Sequence, residues 1–266
     1  MAQLENKIVW ITGASSGIGE ALAYEFASHG AKLVLSARRQ EELERVKKGC
    51  NTAAGNILLL PMDVSKINEA TEKVKIVLEK FGKIDVLVNN AGLSHWTRIN
   101  DMSMDVLSTI MNTNFMGSAS LTKAVLPYML QQKQGQIIVV SSILGKIVTA
   151  KQAAYNASKH ALHGFFDTLR AEYGKSGIKV LLVCPGFVRT NVAKNSLDKE
   201  GKPINKQSPM IEQGLDPKQV AKDIVNAALA GKEEILLAGF KERMAVWVKR
   251  FFPGLFSKII SNARLA

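Results

Sequence analysis

The chain has 266 residues, of which 47% are hydrophobic and 22% are charged, and its formal net charge is +12. A chain of this length and composition is expected to fold as one globular domain with a sizeable core. It contains no run of 18 apolar residues, so a membrane-spanning helix is not expected. Residues 1–7 lack the charged and then apolar layout of a secretory signal.

The charge distribution and the cysteines indicate where the protein is located and which partners it binds. Residues 240–266 contain six Lys or Arg and one Glu, which gives this segment a net charge of +5. Such a bias toward one end favours a local role, and no nucleic-acid-binding motif accompanies it, so no nucleic-acid partner is predicted.

Cys50 and Cys184 lie far apart, which favours reduced thiols and a cytoplasmic location. The histidines show no metal-ligand spacing, and no metal is predicted.

Short β-branched segments alternate with longer helical patterns along the chain. In chain order, the predicted strands are Lys7–Thr12, Lys32–Ser36, Ile57–Pro61, Ile84–Asn89, Gln136–Ser141, Lys179–Cys184 and Glu234–Leu237. Helices are predicted between them at 17–29, 40–48, 66–81, 103–132, 153–175 and 216–230. This alternation is typical of βαβ units. We therefore expect an α/β fold with a doubly wound parallel sheet of about seven strands over residues 1–239.

One long polar segment interrupts the alternation. Residues 194–214 are rich in Asn, Lys, Ser and Pro, and loops of this length are usually functional or disordered. We interpret the region of about 190–215 as a substrate loop that covers a site as a lid.

A glycine-rich turn directly follows the first predicted strand and opens an apolar helix. Glycines allow the backbone to turn tightly and to approach a pyrophosphate, whose charge is favourable beside the free N–H groups of a helix N-terminus. The position of the turn between a strand and a helix therefore predicts a dinucleotide site. Its predicted contacts are Gly13, Ser15, Ser16, Gly17, Ile18 and Gly19.

The end of the second strand indicates which dinucleotide binds. An acidic residue there would accept hydrogen bonds from the ribose 2′-hydroxyl of NAD and would repel a 2′-phosphate. The chain instead has Arg38 and Arg39, whose guanidinium groups suit a phosphate. This pair favours NADP(H), although two solvated surface arginines would give the same pattern.

Further cofactor contacts are expected at the carboxyl ends of later strands, where open α/β sheets bind ligands. Asp63 and Val64 follow the third strand and are suited to meet the adenine. Asn90, Ala91 and Gly92 follow the fourth strand, where small residues let the chain pass close to a ligand.

Tyr155 and Lys159 form the strongest candidate pair for catalysis. Residues four apart share one face of a helix, so the phenol and the ammonium would lie side by side. A cation beside a phenol favours the phenolate and lowers its pKa from about 10 toward the range of efficient acid–base catalysis. Because Tyr-x-x-x-Lys is common on surface helices, the pair gains meaning only beside a predicted cofactor.

Together these motifs resemble the classical short-chain dehydrogenase/reductase family over residues 5–238. The matching segments are Thr12-Gly13-x-x-x-Gly17-x-Gly19, Asn89-Asn90-Ala91-Gly92, Asn114, Ser142, Tyr155-x-x-x-Lys159 and Pro185-Gly186. Segments 141–146, 157–162 and 184–186 resemble the dehydrogenase/reductase member 7 subgroup, which is related to the 11β-hydroxysteroid dehydrogenases. The resemblance implies a single-domain Rossmann fold and an oxidoreductase.

The resemblance also implies a role for each of four residues. Tyr155 would donate a proton to a carbonyl in reduction or accept one from an alcohol in oxidation. Ser142 would hydrogen-bond the substrate oxygen, and Lys159 would bind the nicotinamide ribose and lower the pKa of Tyr155. Asn114 would anchor a water that links Lys159 to solvent. Further implied cofactor contacts are Tyr155, Lys159, Pro185, Gly186, Val188 and Thr190.

Residues 240–266 form a C-terminal helical extension beyond the end of short family members. Apolar residues at helical spacing predict one face that contains Phe240, Met244, Trp247, Val248 and Phe251. A second short helix would place on one side Leu255, Phe256, Ile259, Ile260 and Ala263. Basic amphipathic helices of this kind are typical of membrane surfaces. Packing on the enzyme's own core or on another subunit is the alternative.

The substrate is expected to be lipophilic. The predicted substrate surface is largely apolar and contains Leu93, Trp96, Ile143, Leu144, Ile147, Val148 and Phe187. A steroid-, retinoid- or lipid-like ketone or aldehyde would suit it, and NADPH favours the direction of reduction. The alternatives are a 3-oxoacyl-acyl-carrier-protein reductase and, in another class, a non-catalytic NADP(H)-binding sensor or membrane-associated scaffold. The family resemblance implies a homodimer or homotetramer.

Overall fold

The fold is built on one parallel sheet, seen in a computed structural model that describes residues 4–206 and 208–262. The strand order is β3-β2-β1-β4-β5-β6-β7, and all neighbours pair in parallel. The strands are β1 (Ile8–Thr12), β2 (Lys32–Ser36), β3 (Ile57–Leu59), β4 (Val86–Asn89), β5 (Gly135–Val140), β6 (Ile178–Pro185) and β7 (Glu234–Leu237). The predicted doubly wound sheet of seven strands is confirmed, and its order reverses between β1 and β4.

The helices lie on both faces of this sheet. They are α1 (Gly17–Ser28), α2 (Gln40–Gly49), α3 (Ala70–Phe81), α4 (Met104–Met111), α5 (Gly117–Gln131), α6 (Ala153–Tyr173), α7 (Pro209–Glu212), α8 (Pro217–Leu229), α9 (Phe240–Phe251) and α10 (Pro253–Asn262). Covered on both faces, the central strands are buried along their length, as is usual for parallel sheets.

Alternate residues of the strands belong to two separate hydrophobic cores, one on each face of the sheet. One core lies between the sheet and helices α1 and α8, and its strand residues include Val9, Ile11, Leu33, Leu35 and Val88. The other lies under α3, α5 and α6, and its strand residues include Ile8, Trp10, Val34, Leu87 and Val139. Because successive side chains of a strand point to opposite faces, the continuous apolar strands stabilise both layers at once.

The single helix predicted over 103–132 is interrupted. Helix α4 ends at Met111, a π-helical turn follows at Asn112–Met116, and α5 begins at Gly117. Such turns are rare and often occur at functional sites. Here the side chain of Asn114 leaves the helix to bond the segment after β4, with an Nδ2 to Leu93 O distance of 2.9 Å. The chain is thus helical over nearly all of the predicted range, and the π-helical turn within it was not predicted.

The predicted substrate loop is tied across the segment that follows β4. The Leu197 amide donates to Ser94 O at 2.9 Å, and the Trp96 amide donates to Leu197 O at 2.9 Å. The Ile204 amide donates to Ser196 O at 2.8 Å, which closes a small hairpin. The region also contains the short helix α7, so most of it has a defined hydrogen-bonded course.

The C-terminal helices pack on the segment that follows β5. Phe256, which is only 3% exposed, lies in a cluster with Ile143 and Ile147. Partly buried residues of this cluster from α9 and α10 are Ala245, Val246, Val248 and Ile260. The predicted packing on the enzyme's own core is thus present on one side of the extension. Ala263, predicted to share that side, lies outside the described residues.

The other side of the extension is exposed. Trp247 is 60% exposed and its ring stacks on that of Phe251 at a centroid distance of 5.0 Å. Phe240, at the start of α9, is 79% exposed. Within residues 4–206 and 208–262, no helix combines the length and the apolar character that crossing a bilayer requires.

Candidate active site

Hydrogen bonds join the glycine turn after β1 to the segment after β4. Asn90 Nδ2 donates to the carbonyl oxygens of Thr12 at 3.0 Å and Gly13 at 3.2 Å. Thr12 Oγ1 accepts from the amides of Asn90 at 3.0 Å and Ala91 at 3.1 Å. It donates in turn to Val88 O at 3.1 Å. Two of the predicted cofactor segments are therefore held against each other.

The glycines of this turn stand where no side chain fits. Gly13 and Gly17 have φ angles of +63° and +60°, which side-chain-bearing residues rarely adopt. A Cβ at Gly13 would lie 2.8 Å from Ala91 Cα, and one at Gly17 would lie 2.9 Å from Thr190 Cγ2. The backbone is thus left bare at the start of α1, where the first N–H groups of a helix favour an anion. This cradle fits a dinucleotide pyrophosphate.

The other residues predicted for the turn lie on its rim. Ser16 directly precedes α1, but its side chain caps no amide of the helix. The Ser15 carbonyl accepts from Arg45 Nη2 at 3.1 Å, and Arg45 is also bonded to Glu20. Ile18 packs against the core under α1. The rim is therefore anchored from α2, which leaves the Ser16 hydroxyl available to a ligand.

Arg38 and Arg39 lie side by side at the end of β2, and both are exposed. Within the part of the chain that the structure describes, neither forms an ion pair. Arg39 directly precedes α2, so its positive charge lies near the positive end of the helix dipole. Two unpaired cations at such a position are suited to bind an anion.

Asp63 and Val64 follow β3 on the same edge of the sheet. Asp63 Oδ1 accepts from the Ser65 amide at 3.0 Å and from the Ser65 hydroxyl at 2.7 Å. The Val64 carbonyl oxygen would lie 2.5 Å from a Cβ at Gly117, so the segment passes directly over the start of α5. This close packing holds the segment beside the carboxyl ends of β1 and β4.

The residues predicted after β6 flank the glycine turn from the other side. The Gly186 amide donates to Leu237 O at 2.8 Å, which continues the pairing of Pro185 with β7. Val188 is buried and pairs with Leu215. Thr190 lies against Gly17, since a Cβ at Gly17 would be 2.9 Å from the methyl carbon of Thr190. The predicted cofactor residues from β1, β2, β3, β4 and β6 thus share one edge of the sheet.

Ser142, Tyr155 and Lys159 meet where β5 ends beside α6. Lys159 is only 4% exposed, and its Nζ donates to Val140 O at 2.9 Å and lies 5.6 Å from the centroid of the Tyr155 ring. Ser142 Oγ accepts from the Leu144 amide at 3.1 Å. The Ser142 hydroxyl lies close enough to the Tyr155 phenol to influence its pKa. The three predicted catalytic side chains form one cluster.

Asn114 reaches the same cluster from the π-helical turn. Its Oδ1 accepts from the Leu93 amide at 2.7 Å, and its Nδ2 donates to Leu93 O and to Ser158 Oγ, both at 2.9 Å. A Cβ at Gly92 would lie 3.4 Å from Asn114 Oδ1 and 3.7 Å from Lys159 Nζ. Asn114 and Lys159 therefore flank Gly92, and both N–H groups of the Asn114 side chain bond the protein.

Burial dominates the ionisation of the catalytic pair. It raises the pKa of the Tyr155 phenol, and the Ser142 hydroxyl opposes this rise. It lowers the pKa of the Lys159 ammonium to about 8, against a smaller effect of Cys184 in the opposite direction. The direction for Tyr155 is opposite to the lowering expected from the sequence, because desolvation of the phenolate outweighs the favourable groups around it.

Two features of the site region were missed from the sequence. Ser158 links the Asn114 amide to α6, and no motif marked it. Beside Ser141, whose Oγ lies 3.1 Å from His163 Nε2, ligand atoms of His163, Cys184 and Glu234 lie within 4.8 Å of one another, although the histidine spacing predicted no metal site. The Glu234 carboxylate is already paired with Lys146 at 2.6 Å. We therefore assign no metal to this cluster.

Comparison with known proteins gives a consistent family match. The family model described as short chain dehydrogenase matches residues 7–201. The chain is 41% identical over 264 residues to dehydrogenase/reductase SDR family protein 7-like of Anopheles gambiae, covering 97% of this chain and 83% of that protein. It is 48% identical over 200 residues to dehydrogenase/reductase SDR family member 7 of Homo sapiens, covering 73% of this chain and 59% of that protein.

Solved structures show the same fold. A short-chain dehydrogenase/reductase from Burkholderia phymatum, in complex with NAD, matches with a TM-score of 0.85 at 28% identity and covers 96% of both chains. An alcohol dehydrogenase from Thermococcus sibiricus, complexed with 5-hydroxy-NADP, matches with a TM-score of 0.75 at 29% identity. That match covers 88% of this chain and 96% of the other. The two neighbours carry different nicotinamide dinucleotides.

Proposed function

The chain belongs to the short-chain dehydrogenase/reductase family, as an oxidoreductase similar to member 7, and we propose that it reduces lipophilic ketones or aldehydes with NADPH. The observation that carries this proposal is the meeting of Ser142, Tyr155 and Lys159 beside the glycine turn at one edge of the sheet. When bound, the nicotinamide supplies the hydride. The chain's own residues bind it, orient the substrate and move the proton.

Tyr155 is proposed as the general acid. Because burial raises the pKa of its phenol, Tyr155 holds its proton at neutral pH. As a substrate carbonyl is reduced, its oxygen becomes an alkoxide, which is a far stronger base than a phenolate and takes the Tyr155 proton. Oxidation of an alcohol would require the phenolate, which the buried position disfavours. The protonated phenol is the form of Tyr155 that the proposed reduction uses.

Ser142 is proposed to orient the substrate oxygen. Its Oγ accepts from the Leu144 amide, so its own proton can be donated to Tyr155 or to a substrate oxygen. Together with the Tyr155 hydroxyl, it would form a preorganised donor pair at the position where negative charge develops.

Lys159 is proposed to hold the nicotinamide ribose and to supply the proton that Tyr155 loses. Its ammonium is buried and, among the described residues, donates one hydrogen bond, to Val140 O, which leaves further N–H groups for a ribose hydroxyl. A pKa of about 8 keeps it mostly protonated near neutral pH while making proton release easy. Asn114, whose side-chain amide is hydrogen-bonded to the protein, lies beside Gly92. From there it would support the water that links Lys159 to solvent.

The preference for NADP(H) rests on Arg38 and Arg39. Both are exposed and lie at the edge of the cofactor cradle. No carboxylate stands at the end of β2 to accept hydrogen bonds from a free 2′-hydroxyl. A 2′-phosphate would pair with the two guanidinium groups and would also offset their charge near the start of α2.

Peripheral membrane contact is proposed for the C-terminal extension. The outward side of α9 and α10 carries large exposed apolar residues, which are Phe240, Met244, Trp247, Phe251, Phe252, Leu255 and Ile259. Basic residues of the same helices would pair with anionic lipid headgroups. A lipophilic substrate could then pass from a bilayer toward the site from the cytoplasmic side. A homodimer or homotetramer through α5 and α6 is proposed from the family alone.

One panel tests the proposed reaction. Steroid, retinoid, quinone and acyl-thioester carbonyls are assayed for NADPH oxidation and, in parallel, for NADH oxidation. We expect turnover of the lipophilic ketones or aldehydes with NADPH. Turnover confined to acyl thioesters would favour the carrier-protein reductase instead.

A variant separates an enzyme from a sensor or scaffold. Tyr155→Phe removes the proposed proton donor, and we expect kcat to fall by about 10³-fold or more with unchanged binding of NADPH. Tyr173→Phe, which removes a hydroxyl at the other end of α6, is the matched control and keeps full activity. If Tyr155→Phe retains activity, the proposed mechanism fails.

A further inference from the structure

The imidazole of His163, on α6, contacts the residue that directly precedes Ser142. The ring is buried, and its Nε2 lies 3.1 Å from Ser141 Oγ. Ser141 Oγ also donates to Lys159 O at 3.4 Å. One buried hydroxyl thus joins His163 to the backbone of Lys159, and it belongs to the neighbour of Ser142. The proposed reaction assigns no role to this ring.

The contacts of the Ser141 hydroxyl indicate which nitrogen of His163 carries the proton. A hydroxyl has one proton to donate and can accept through its lone pairs. When that proton goes to Lys159 O, the contact with Nε2 is a hydrogen bond only if Nε2 carries a proton. Burial and the charge of Lys146 lower the pKa of the ring to about 4, so His163 is neutral at pH 7. It therefore acts as a hydrogen-bond donor to Ser141.

The turn that follows Ser142 packs onto this hydrogen-bonded pair. A Cβ at Gly145, where the turn ends, would lie 2.7 Å from Ser141 Oγ and 2.8 Å from His163 Nε2. Within the turn, the Leu144 amide donates to Ser142 Oγ at 3.1 Å. The ring and the Ser141 hydroxyl therefore limit where the turn can lie, and the turn orients the Ser142 hydroxyl.

An ion pair holds the end of the same turn. Lys146, the next residue after Gly145, pairs with Glu234 of β7 at 2.6 Å, and Glu234 Oε2 lies 3.8 Å from His163 Nδ1. On β6, Cys184 Sγ lies 3.7 Å from His163 Nε2. Segments from β5, β6 and β7 thus meet at one side chain of α6.

We propose that His163 is a positioning residue: its Nε2–H group holds the Ser141 hydroxyl and thereby sets the position of the Ser142 hydroxyl beside Tyr155. Packing alone does not require an imidazole here, because a buried polar ring is unfavourable unless hydrogen bonds compensate for the lost water. His163 acts through Ser141 and touches neither substrate nor cofactor. This role rests on the reduction proposed above.

A double-mutant cycle tests whether the two residues act together. His163→Leu removes the ring nitrogens, and Ser141→Ala removes the hydroxyl. With the panel carbonyl that the wild type reduces fastest, each variant should lower kcat about tenfold at an unchanged Kd for NADPH, because small displacements of a reacting group lower rates steeply. The double variant should lose no more than about twofold beyond either single variant. Losses that multiply would overturn the proposal.

A conservative variant separates the hydrogen bond from packing. The side-chain amide of His163→Gln can bring an N–H group to the position of Nε2, so kcat should recover to within about threefold of the wild type. A role in packing alone would favour Leu over Gln. His29→Leu, at the residue directly after α1, is the matched control and should keep its kcat. Full kcat in His163→Leu would overturn the proposal.

Hydrogen exchange tests the same role without a substrate. The Leu144 amide reports the bond to Ser142 Oγ, so exchange of residues 143–147 should speed up severalfold in His163→Leu and stay near the wild-type rate in His163→Gln. Unchanged exchange in His163→Leu would overturn the positioning role. A loss of kcat in Tyr155→Phe together with full kcat in His163→Leu would reject this role alone, whereas retained activity of Tyr155→Phe would reject the proposed function.

Discussion

The amide of Asn114 donates a hydrogen bond of 2.9 Å to the Ser158 hydroxyl, which lies one residue before Lys159. Through this bond the π-helical turn between α4 and α5 holds α6 in place at the catalytic cluster. The same amide group makes two more bonds, to the backbone of Leu93. Asn114 thus joins the π-helical turn, the segment after β4 and α6, and the proposed chemistry depends on the relative positions of these three segments.

Replacing Asn114 should cost both stability and activity. Asn114→Ala leaves the N–H and C=O of Leu93 and the Ser158 hydroxyl without this partner, so we expect the free energy of unfolding to fall by about 2–4 kcal/mol and kcat to fall with it. Urea denaturation and steady-state kinetics measure the two effects. Ser158→Ala removes only the contact to α6 and should cost about 1 kcal/mol. An equal loss of kcat in both variants would contradict the central position given to Asn114.

Substitutions at Gly17 and Gly82 can distinguish the cost of backbone strain from the cost of a steric clash. Both have positive φ, but a Cβ at Gly17 would lie 2.9 Å from Thr190 Cγ2, whereas a Cβ at Gly82 would meet nothing within 4 Å. Gly82→Ala should therefore lose about 1–2 kcal/mol of stability and keep its Kd for NADPH. Gly17→Ala should lose at least as much stability and should also weaken NADPH binding by tenfold or more. Fluorescence titration with NADPH measures the Kd, and equal Kd values in the two variants would rule out the cradle.

Arg38 and Arg39 should decide between the two dinucleotides. Arg38→Ala and Arg39→Ala each remove a proposed partner of the 2′-phosphate, so the KM for NADPH should rise about tenfold. The KM for NADH, which has no such phosphate, should change little. Lys48→Ala is the comparison because it removes an exposed cation from the last turn of α2, away from the start of that helix. Parallel kinetics with both cofactors give the ratio, and an equal rise for NADH would contradict the assignment.

His163 should make stability depend on acid pH. Burial and the nearby charge of Lys146 lower its pKa to about 4, whereas an unfolded histidine titrates near 6.5. The unfolded state therefore binds the proton first as the pH falls. The contribution of neutral His163 is complete above pH 6.5 and is lost as the pH falls toward 4, by about 2 kcal/mol.

Urea denaturation at pH 7 and at pH 4.5 measures this loss. His163→Gln should show a smaller difference between the two pH values than the wild type. The pKa of His95 is also lowered by burial, but His95 is present in both proteins and its contribution cancels. His29→Gln is the control and should behave as the wild type. Identical pH dependence of wild type and His163→Gln would refute the prediction.

Substitutions on the exposed side of the C-terminal extension should weaken membrane binding without reducing the stability that its packed side provides. Removing residues 240–266 would also remove Phe256 from its cluster with Ile143, directly after Ser142. Trp247→Ser combined with Phe251→Ser changes only exposed rings, so thermal stability should stay within a few degrees. Sedimentation with anionic vesicles should fall severalfold. Met104→Ser, at a residue 69% exposed on α4, is the control, and unchanged sedimentation of the double variant would exclude membrane contact by this surface.

Much of the fold could be predicted from local patterns. The observed strand bounds differ from the predicted ones by at most two residues, because short β-branched apolar segments and the turns that bound them are encoded within a few residues. Gly13 and Gly17 marked the cofactor cradle because only glycine tolerates that backbone locally. The π-helical turn at Asn114 was missed, since it depends on bonds to Leu93 and Ser158, which lie far away in the chain.

The sequence alone therefore determined the strand and helix order, and it marked the predicted cofactor turn and the proposed catalytic pair, because each of these depends on residues close together in the chain. Tertiary structure decided which side of the C-terminal extension is buried, because that depends on the contact of Phe256 with Ile143. It also decided the direction of the Tyr155 pKa, since burial is a property of the packed surroundings and outweighs the opposing effect of the Ser142 hydroxyl.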